Sequence, residues 1–266
     1  MIWQVEALRY GTRSAGRTRG DSFLFDDHAE APHAIDYFVW TLRAGERTIL
    51  VDTGYDAAEA AARGRPIDRD PRACLAARGV AVEDVADVIV THLHYHHAGG
   101  LHLFPDARLH LQPAEMAYAT GPCMCHDALR HPFTGAHVCE AVMRLHAGRV
   151  RFHDGAAEVA DGVEVHRIGG HSKGLQCVRV RTEAGWLVLA SDATHFYENV
   201  HGGKLFPIVV DAEAMLRGFD TLRALASAPE LIVPGHDPLV RDLFPEAGPE
   251  AWRLDRGPTG RVPGLG

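Results

Sequence analysis

Residues 91–100 read THLHYHHAGG, four histidines within six positions on a stretch that carries no charged residue. They follow Val88-Ile89-Val90, an apolar run that reads as a buried strand, so the histidines stand where a strand ends. The pattern is His92-x-His94-x-His96-His97. His92 and His94, two apart in extended chain, point to one side, and Ala98-Gly99-Gly100 lets the chain bend so that His97 turns to a neighbouring position. A metal ion needs neutral imidazoles held at about 2.0–2.1 Å, and strand ends with tight loops supply that rigidity.

The rest of the chain repeats the arrangement. RTILVDTG (47–54) is an apolar strand ending in Asp52, and GWLVLASDA (185–193) is another ending in Asp192. DVIVTHLH (87–94) and ELIVPGHD (230–237) are apolar strands that run straight into histidine, the second reaching His236. Between them, VEVHRI (163–168) leads into IGGHSKG and His171. Each half thus contributes a strand ending in Asp and a later strand ending in His, the pattern of two packed sheets with chemistry along one edge. One such histidine alone would more often be hydrogen-bonded or on the surface. A cluster of four, followed by His or Asp at three later strand ends, points to metal. Eleven of the 18 histidines, outside these positions and His195, take the bland reading.

Composition narrows the partners. A chain of 266 residues with 46% hydrophobic content can bury a large core and is not a disordered or fibrous type. The formal charge of −8 is accompanied by no basic run, which argues against nucleic acid and anionic membranes and leaves small molecules. No stretch approaches 18 consecutive apolar residues and no secretory leader pattern opens the chain, so a cytoplasmic protein without a membrane span is expected. Five scattered cysteines suit reduced thiols. Cys123-x-Cys125-His126 lacks both the usual Cys-x2-Cys spacing and a second pair, and it is not taken as a zinc site.

Helices fit between the strands. Asp70-Pro71 offers an N-cap and a first-turn proline, with Gly79 as the stop. In 211–228, Met215, Phe219 and Leu222 share one helical face and read as core. QCVRVRT and WLVLA continue VEVHRI as an antiparallel meander, Arg179 and Arg181 alternating with Val178 and Val180. Two stretches, 11–34 and 121–148, fit neither sheet pattern and read either as lids over a site or as surface decoration. The tail 257–266 is expected to be disordered.

THLHYHHAGG resembles the HxHxDH motif of the metallo-β-lactamase superfamily. Asp52 in VDTG, His171 in GGHSKG, Asp192 in SDA and His236 in VPGH fall where that superfamily has its other motifs. HLFPDARLHLQPAEMAYA, SDATHFYEN and VPGHDPLV are most similar to the N-acyl homoserine lactonase family, over about residues 35–245. The resemblance implies a single domain with an αβ/βα sandwich of two mixed β-sheets flanked by helices. It also implies two divalent metal ions, zinc first, with manganese, iron or cobalt as alternatives. By resemblance His92, His94 and His171 hold the first ion, His97 and His236 the second, with Asp192 bridging and Asp52 orienting a ligating histidine. The implied reaction opens a lactone ring, an N-acyl homoserine lactone foremost, by attack of metal-activated hydroxide on the carbonyl. Another lactone or ester is the enzymatic alternative, and a metal-binding sensor without catalysis the non-enzymatic one. Two residues depart from the family. His96 stands where the motif has an aspartate ligand of the second ion and is expected to ligate or flank that ion. His195 stands where lactonases carry a tyrosine near the substrate carbonyl and is expected to donate to the carbonyl or leaving group. Tyr95 reads as a wall of the substrate pocket or as packing. Whether copies of the chain associate is not written in the sequence.

Overall fold

The computed structural model describes residues 1–265. Its strands are β1 (Gln4–Arg13), β2 (Ile35–Ala44), β3 (Arg47–Val51), β4 (Asp87–Ile89), β5 (Arg108–Leu111), β6 (Val150–Phe152), β7 (Ala156–Ala160), β8 (Val163–Arg167), β9 (Gln176–Thr182), β10 (Gly185–Ser191), β11 (Ile232–Pro234), β12 (Glu246–Gly248) and β13 (Ala251–Arg253). They form two mixed sheets, one in the order β12-β13-β1-β2-β3-β4-β5-β6 and the other β11-β10-β9-β8-β7. Strands β3 to β6 run parallel to one another, as do β10 and β11, while the remaining pairs are antiparallel.

Alternation along each strand explains the layering, since successive side chains face opposite ways. Trp40, Leu42, Ile49 and Val51 of the first sheet meet Val178, Val180, Leu187 and Leu189 of the second in a core between the sheets. The opposite faces pack on helices. Leu50, Val88, Leu109 and Leu111 lie against Leu75, Met116 and Val138. Cys177, Val188 and Ile232 lie against Met215, Phe219 and Leu222 of the helix Ala212–Leu225. This is the expected αβ/βα sandwich. The expected meander is β8-β9-β10, and Arg179 points away from the inter-sheet core to lie 3.9 Å from the Trp186 ring centroid.

Local signals are realised where they were read. Asp70 caps the helix Pro71–Ala77 by accepting from Arg72 N, and Gly79 follows with φ +70. Residues 121–148 form short helices and the longer helix Gly135–His146, whose Val138 and Ala141 are buried. The 11–34 stretch completes β1 and then loops, closing through a bridge between Thr18 and Pro32. The expectation of a disordered tail is corrected for residues 257–265. Val262 is buried and Thr259 N donates to Leu243 O at 2.7 Å, so the inter-sheet core recruits the segment; Gly266 lies outside the described residues. No helix among the described residues is long and apolar enough to cross a membrane.

Truncating Leu189, fully buried between the sheets, to alanine is expected to cost about 2–5 kcal/mol by urea denaturation. Leu216→Ala, on the 43% exposed side of the Ala212–Leu225 helix, should stay within about 0.5 kcal/mol.

Candidate metal centre

The two sheets bring their equivalent strand ends together. Asp52 follows β3 and is paired to β4 through Asp52 N donating to Ile89 O at 2.9 Å. Asp192 follows β10, whose neighbour β11 leads to His236. At both turns a non-glycine residue takes positive φ, Asp52 at +59 and Ser191 at +47, which swings the carboxylates out of the strand direction. The THLHYHHAGG loop crosses between them, with Tyr95–Ala98 forming one helical turn.

Asp192 lies at the centre of the cluster, fully buried. Its Oδ2 is 3.1 Å from His171 Nε2, 3.3 Å from His96 Nε2 and 3.7 Å from His92 Nε2. Its Oδ1 is 2.9 Å from His236 Nε2 and 3.1 Å from His97 Nε2. Two groups therefore share Asp192, one with His92, His94 and His171 and one with His96, His97 and His236, all ligand atoms within 4.8 Å of each other in each group.

The outer hydrogen bonds decide which ring nitrogens carry protons. His171 Nδ1 donates to Ile208 O at 2.7 Å, His236 Nδ1 to Asp36 O at 2.7 Å, and His97 Nδ1 to Asp52 Oδ2 at 2.7 Å. Thr91 Oγ1 gives its proton to Asp52 Oδ2 at 2.7 Å and so accepts from His92 Nδ1 at 3.2 Å. Rings held this way turn their Nε2 atoms toward a carboxylate. His171 Nε2 lies 2.9 Å from His94 Nδ1 and His96 Nε2 3.2 Å from His236 Nε2, each pair close enough to share one proton. Lone pairs converging on lone pairs repel unless protons or cations lie among them, and the donor set of imidazoles and one carboxylate is that of a divalent transition metal. The cluster is compatible with a dinuclear site.

The electrostatics separate His97 from its neighbours. Burial, reinforced by neighbouring imidazoles, pushes His92, His94 and His96 well below the ordinary histidine range, keeping them neutral. His97 is buried as well, but Asp192 and Asp52 on either side overcome that and raise it to about 10. Burial would raise Asp192, yet the surrounding histidines, His236 and His97 foremost, hold it well below the usual carboxylate range. His195 is lowered to about 3, chiefly by burial. It lies at the cluster's edge, Nε2 3.1 Å from Asp192 Oδ2, its ring stacked on Phe206 at 3.8 Å.

His96 differs from its neighbours. Its Nδ1 is buried and has no partner, whereas His92, His97, His171 and His236 each have an outer acceptor. Tyr95 is 9% exposed and packs on Tyr55 at 5.3 Å and under the Arg63 guanidinium at 4.1 Å. Phe133, from the 121–148 stretch, lies edge-on to His94 at 4.6 Å.

One buried residue escaped the sequence reading. Glu115 accepts from Leu93 N at 2.9 Å, Ser172 Oγ at 2.6 Å and Gly174 N at 2.9 Å, tying the loop of His92 and His94 to that of His171. A Cβ on Gly174 would come within 2.1 Å of Glu115 N, so the close approach requires glycine. The signal available in the sequence was a glutamate three residues past Gln112 in QPAE, which reads as an ordinary first-turn acid.

Comparison with known proteins places this architecture. Residues 36–236 match the family model of the metallo-beta-lactamase superfamily. The chain belongs to that superfamily. Among characterised relatives, an N-acyl homoserine lactonase of Bacillus cereus is 29% identical over 176 residues, 64% of this chain and 61% of the relative. The match thus spans about three-fifths of that relative's length. Metallo-beta-lactamase domain-containing protein 1 of Xenopus laevis is 29% identical over 206 residues, 76% of this chain and 71% of that one. A solved N-acyl homoserine lactone hydrolase, holding the product N-hexanoyl-L-homoserine at its catalytic metal center, superposes with a TM-score of 0.75. The superposition covers 91% of this chain and 96% of that one at 21% identity, a likeness of fold.

Glu115→Gln should weaken retention of the first ion about tenfold, because an amide presents hydrogens to Ser172 or Gly174. Competition with a chromophoric chelator reads this, and unchanged retention would remove Glu115 from any positioning role. At the second position, His96→Asp should tighten the second ion and His96→Ala should lower its occupancy, measured as metal per protein after dialysis against a weak chelator. If wild type holds one ion at saturation and His96→Ala changes nothing, His96 is a bystander in a mononuclear site.

Proposed function

We propose that the chain is a metal-dependent hydrolase that opens lactone rings, with N-acyl homoserine lactones as the first class to test. The observation that carries the hydrolase reading is the convergence of six imidazoles around the buried Asp192 carboxylate, a donor set that suits divalent cations. Lactonase relatives on the same fold support the lactone.

In this reading His92, His94 and His171 would hold one ion and His96, His97 and His236 the other, with Asp192 shared by both groups. When bound, such a pair lowers the pKa of water and polarises an ester carbonyl. The chain's own groups do the rest. Asp52 orients His97 and, through Thr91, His92. His195 carries an N–H at the rim of the cluster and is held flat by Phe206, placed to donate to the carbonyl oxygen or to the departing ring oxygen in place of Asp192. Tyr95 packs against His96, ring centroids 4.8 Å apart. Because His96 lies within the second group, the site supports turnover better than a sensor that has lost one ligand position.

His92→Ala, His94→Ala, His171→Ala and Asp192→Ala should each lower lactone turnover by about 100-fold or more while leaving a folded protein, followed by acid release with a pH indicator. Near-normal activity in any two of them would sink the assignment. His195→Phe should lower kcat on the order of 100-fold with metal content unchanged, and an effect on KM alone would make it a binding residue.

A further inference from the structure

The stretch 121–148, which by sequence reads either as a lid or as surface decoration, is fastened beside the first ligand group at one short segment. Arg63, the last residue of the helix Ala57–Arg63, reaches it with most of its guanidinium. Nη1 donates to His131 O at 2.9 Å, while Nη2 gives one hydrogen to Phe133 O at 2.9 Å and the other to Thr134 Oγ1 at 2.8 Å. Nε donates to Glu59 Oε1, which also accepts from Thr134 Oγ1 at 2.5 Å. The face of the same guanidinium lies 4.1 Å from the Tyr95 ring centroid, and Tyr95 N donates to Pro132 O at 2.9 Å. Residues 131–134 are thus tied both to that helix and to the THLHYHHAGG loop. A planar guanidinium that uses four N–H groups and one face fixes a single geometry, which a lysine could not.

What this latch presents is Phe133. Its ring stands edge-on to His94, centroids 4.6 Å apart and planes at 86°, and packs on Tyr118 at 5.8 Å. Phe133 also lines a solvent-open cavity of about 570 Å³, whose apolar wall it shares with Ala119, Met124 and Val138. A cavity of that volume is on the scale of a small-molecule site. One side chain, itself 7% exposed, therefore touches both a ligand of the first ion group and that open space. His92, His94 and His171 are at most 2% exposed, so a substrate approaching the first position meets the walls around these rings before the rings themselves. The backbone of Phe133 is held by Arg63 and its ring is wedged between His94 and Tyr118.

We propose that Phe133, held by Arg63, is a size-limiting wall beside the first ion position. It parts the metal centre from the cavity behind it, so that lactones with short acyl chains are preferred and a long chain is kept out of room that lies one side chain away. This rests on the hydrolase reading and refines its substrate class. Phe133 sets the specificity and Arg63 positions it, which makes 121–148 neither a moving lid nor decoration. A smaller residue at 133 joins cavity and centre, and a larger one narrows the space beside His94.

The test measures kcat/KM for N-butanoyl and N-decanoyl homoserine lactone on the metal-loaded wild type and on Phe133→Ala, Phe133→Trp and Arg63→Met. Wild type should favour the short chain. Phe133→Ala should raise the decanoyl-to-butanoyl ratio by about tenfold or more, mostly through KM, and Phe133→Trp should lower it. Arg63→Met should raise it by a smaller factor, and adding that change to Phe133→Ala should do nothing further, because Arg63 acts through the ring. Metal content and melting temperature of each variant establish that the fold and cluster survive. The latch is read without metal by amide exchange: Tyr95 N–H, bonded to Pro132 O, should exchange faster by about tenfold or more in Arg63→Met. Calorimetric titration with acetohydroxamate and decanohydroxamate, which bind metal through the same head group, gives the chain-length comparison without turnover. If neither lactone is hydrolysed but the hydroxamate ratio rises in Phe133→Ala, the lactonase reading fails and the wall stands. If wild type takes both chain lengths equally, or Phe133→Ala leaves the ratio unchanged in both measurements, the wall is overturned. Unchanged Tyr95 exchange in Arg63→Met removes Arg63 from its positioning role.

Discussion

A carboxylate without solvent exposure, encircled by imidazoles that keep their protons on the far side, is the constraint on which this molecule turns. The Nδ1 bonds of His171 and His236 run outward, to Ile208 and Asp36, so Asp192 depends on His195 and on His97, which lies between Asp52 and Asp192, or on cations, for positive partners. Positive charge has to complete the arrangement, and six histidines from three separate loops are positioned for it. A fold that merely buried these groups would be unstable against one that exposed them. Their retention marks the place where stability has been traded for chemistry.

The sandwich makes that centre possible by using one device twice. In each sheet a strand ends in a turn at positive φ that aims an aspartate across the edge, and the parallel neighbour delivers a histidine beside it. The inter-sheet core sets the distance between the halves. Polar bolts set their alignment: Gln176 Nε2 donates to Val90 O at 2.8 Å and His110 O at 3.0 Å, and Glu115 ties the loops of the first ligand group. A glutamine reaching from one sheet to two carbonyls of the other leaves little freedom for the sheets to slide.

Around this rigid centre the outer contacts are uneven. His96 has no outer acceptor, so its Nδ1 side is held by packing alone while its Nε2 faces His236 and Asp192. A neutral ring in place of an anion would leave a second ion with more net positive charge around it and a weaker hold on it. The charge of −8 of the whole chain therefore says nothing about the local field at the site.

How much of this could be read from the chain follows from how far each signal reaches. The strand ends at Asp52, His92, Asp192 and His236 were legible because short apolar runs ending in a chemically distinctive residue are local patterns, and the two-sheet arrangement followed from their repetition. The helix face of Met215, Phe219 and Leu222 was legible for the same reason, being periodic. Glu115 was not, since a buried carboxylate and a first-turn helix acid have the same letter, and only the approach of Leu93, Ser172 and Gly174 separates them. Arg17 sat in a stretch read as polar and glycine-rich, and its burial depends on contacts that no spacing encodes. The tail was misread because its glycines and prolines suggest disorder, while Val262 finds a gap in a core built by strands far away in sequence. The sequence by itself determined which residues could bind metal and where strands would end, because those properties belong to residue type and local period. Which nitrogen of each histidine faces inward, and which charges remain unpaired, was decided only by the tertiary structure, because each depends on a partner dozens of residues away.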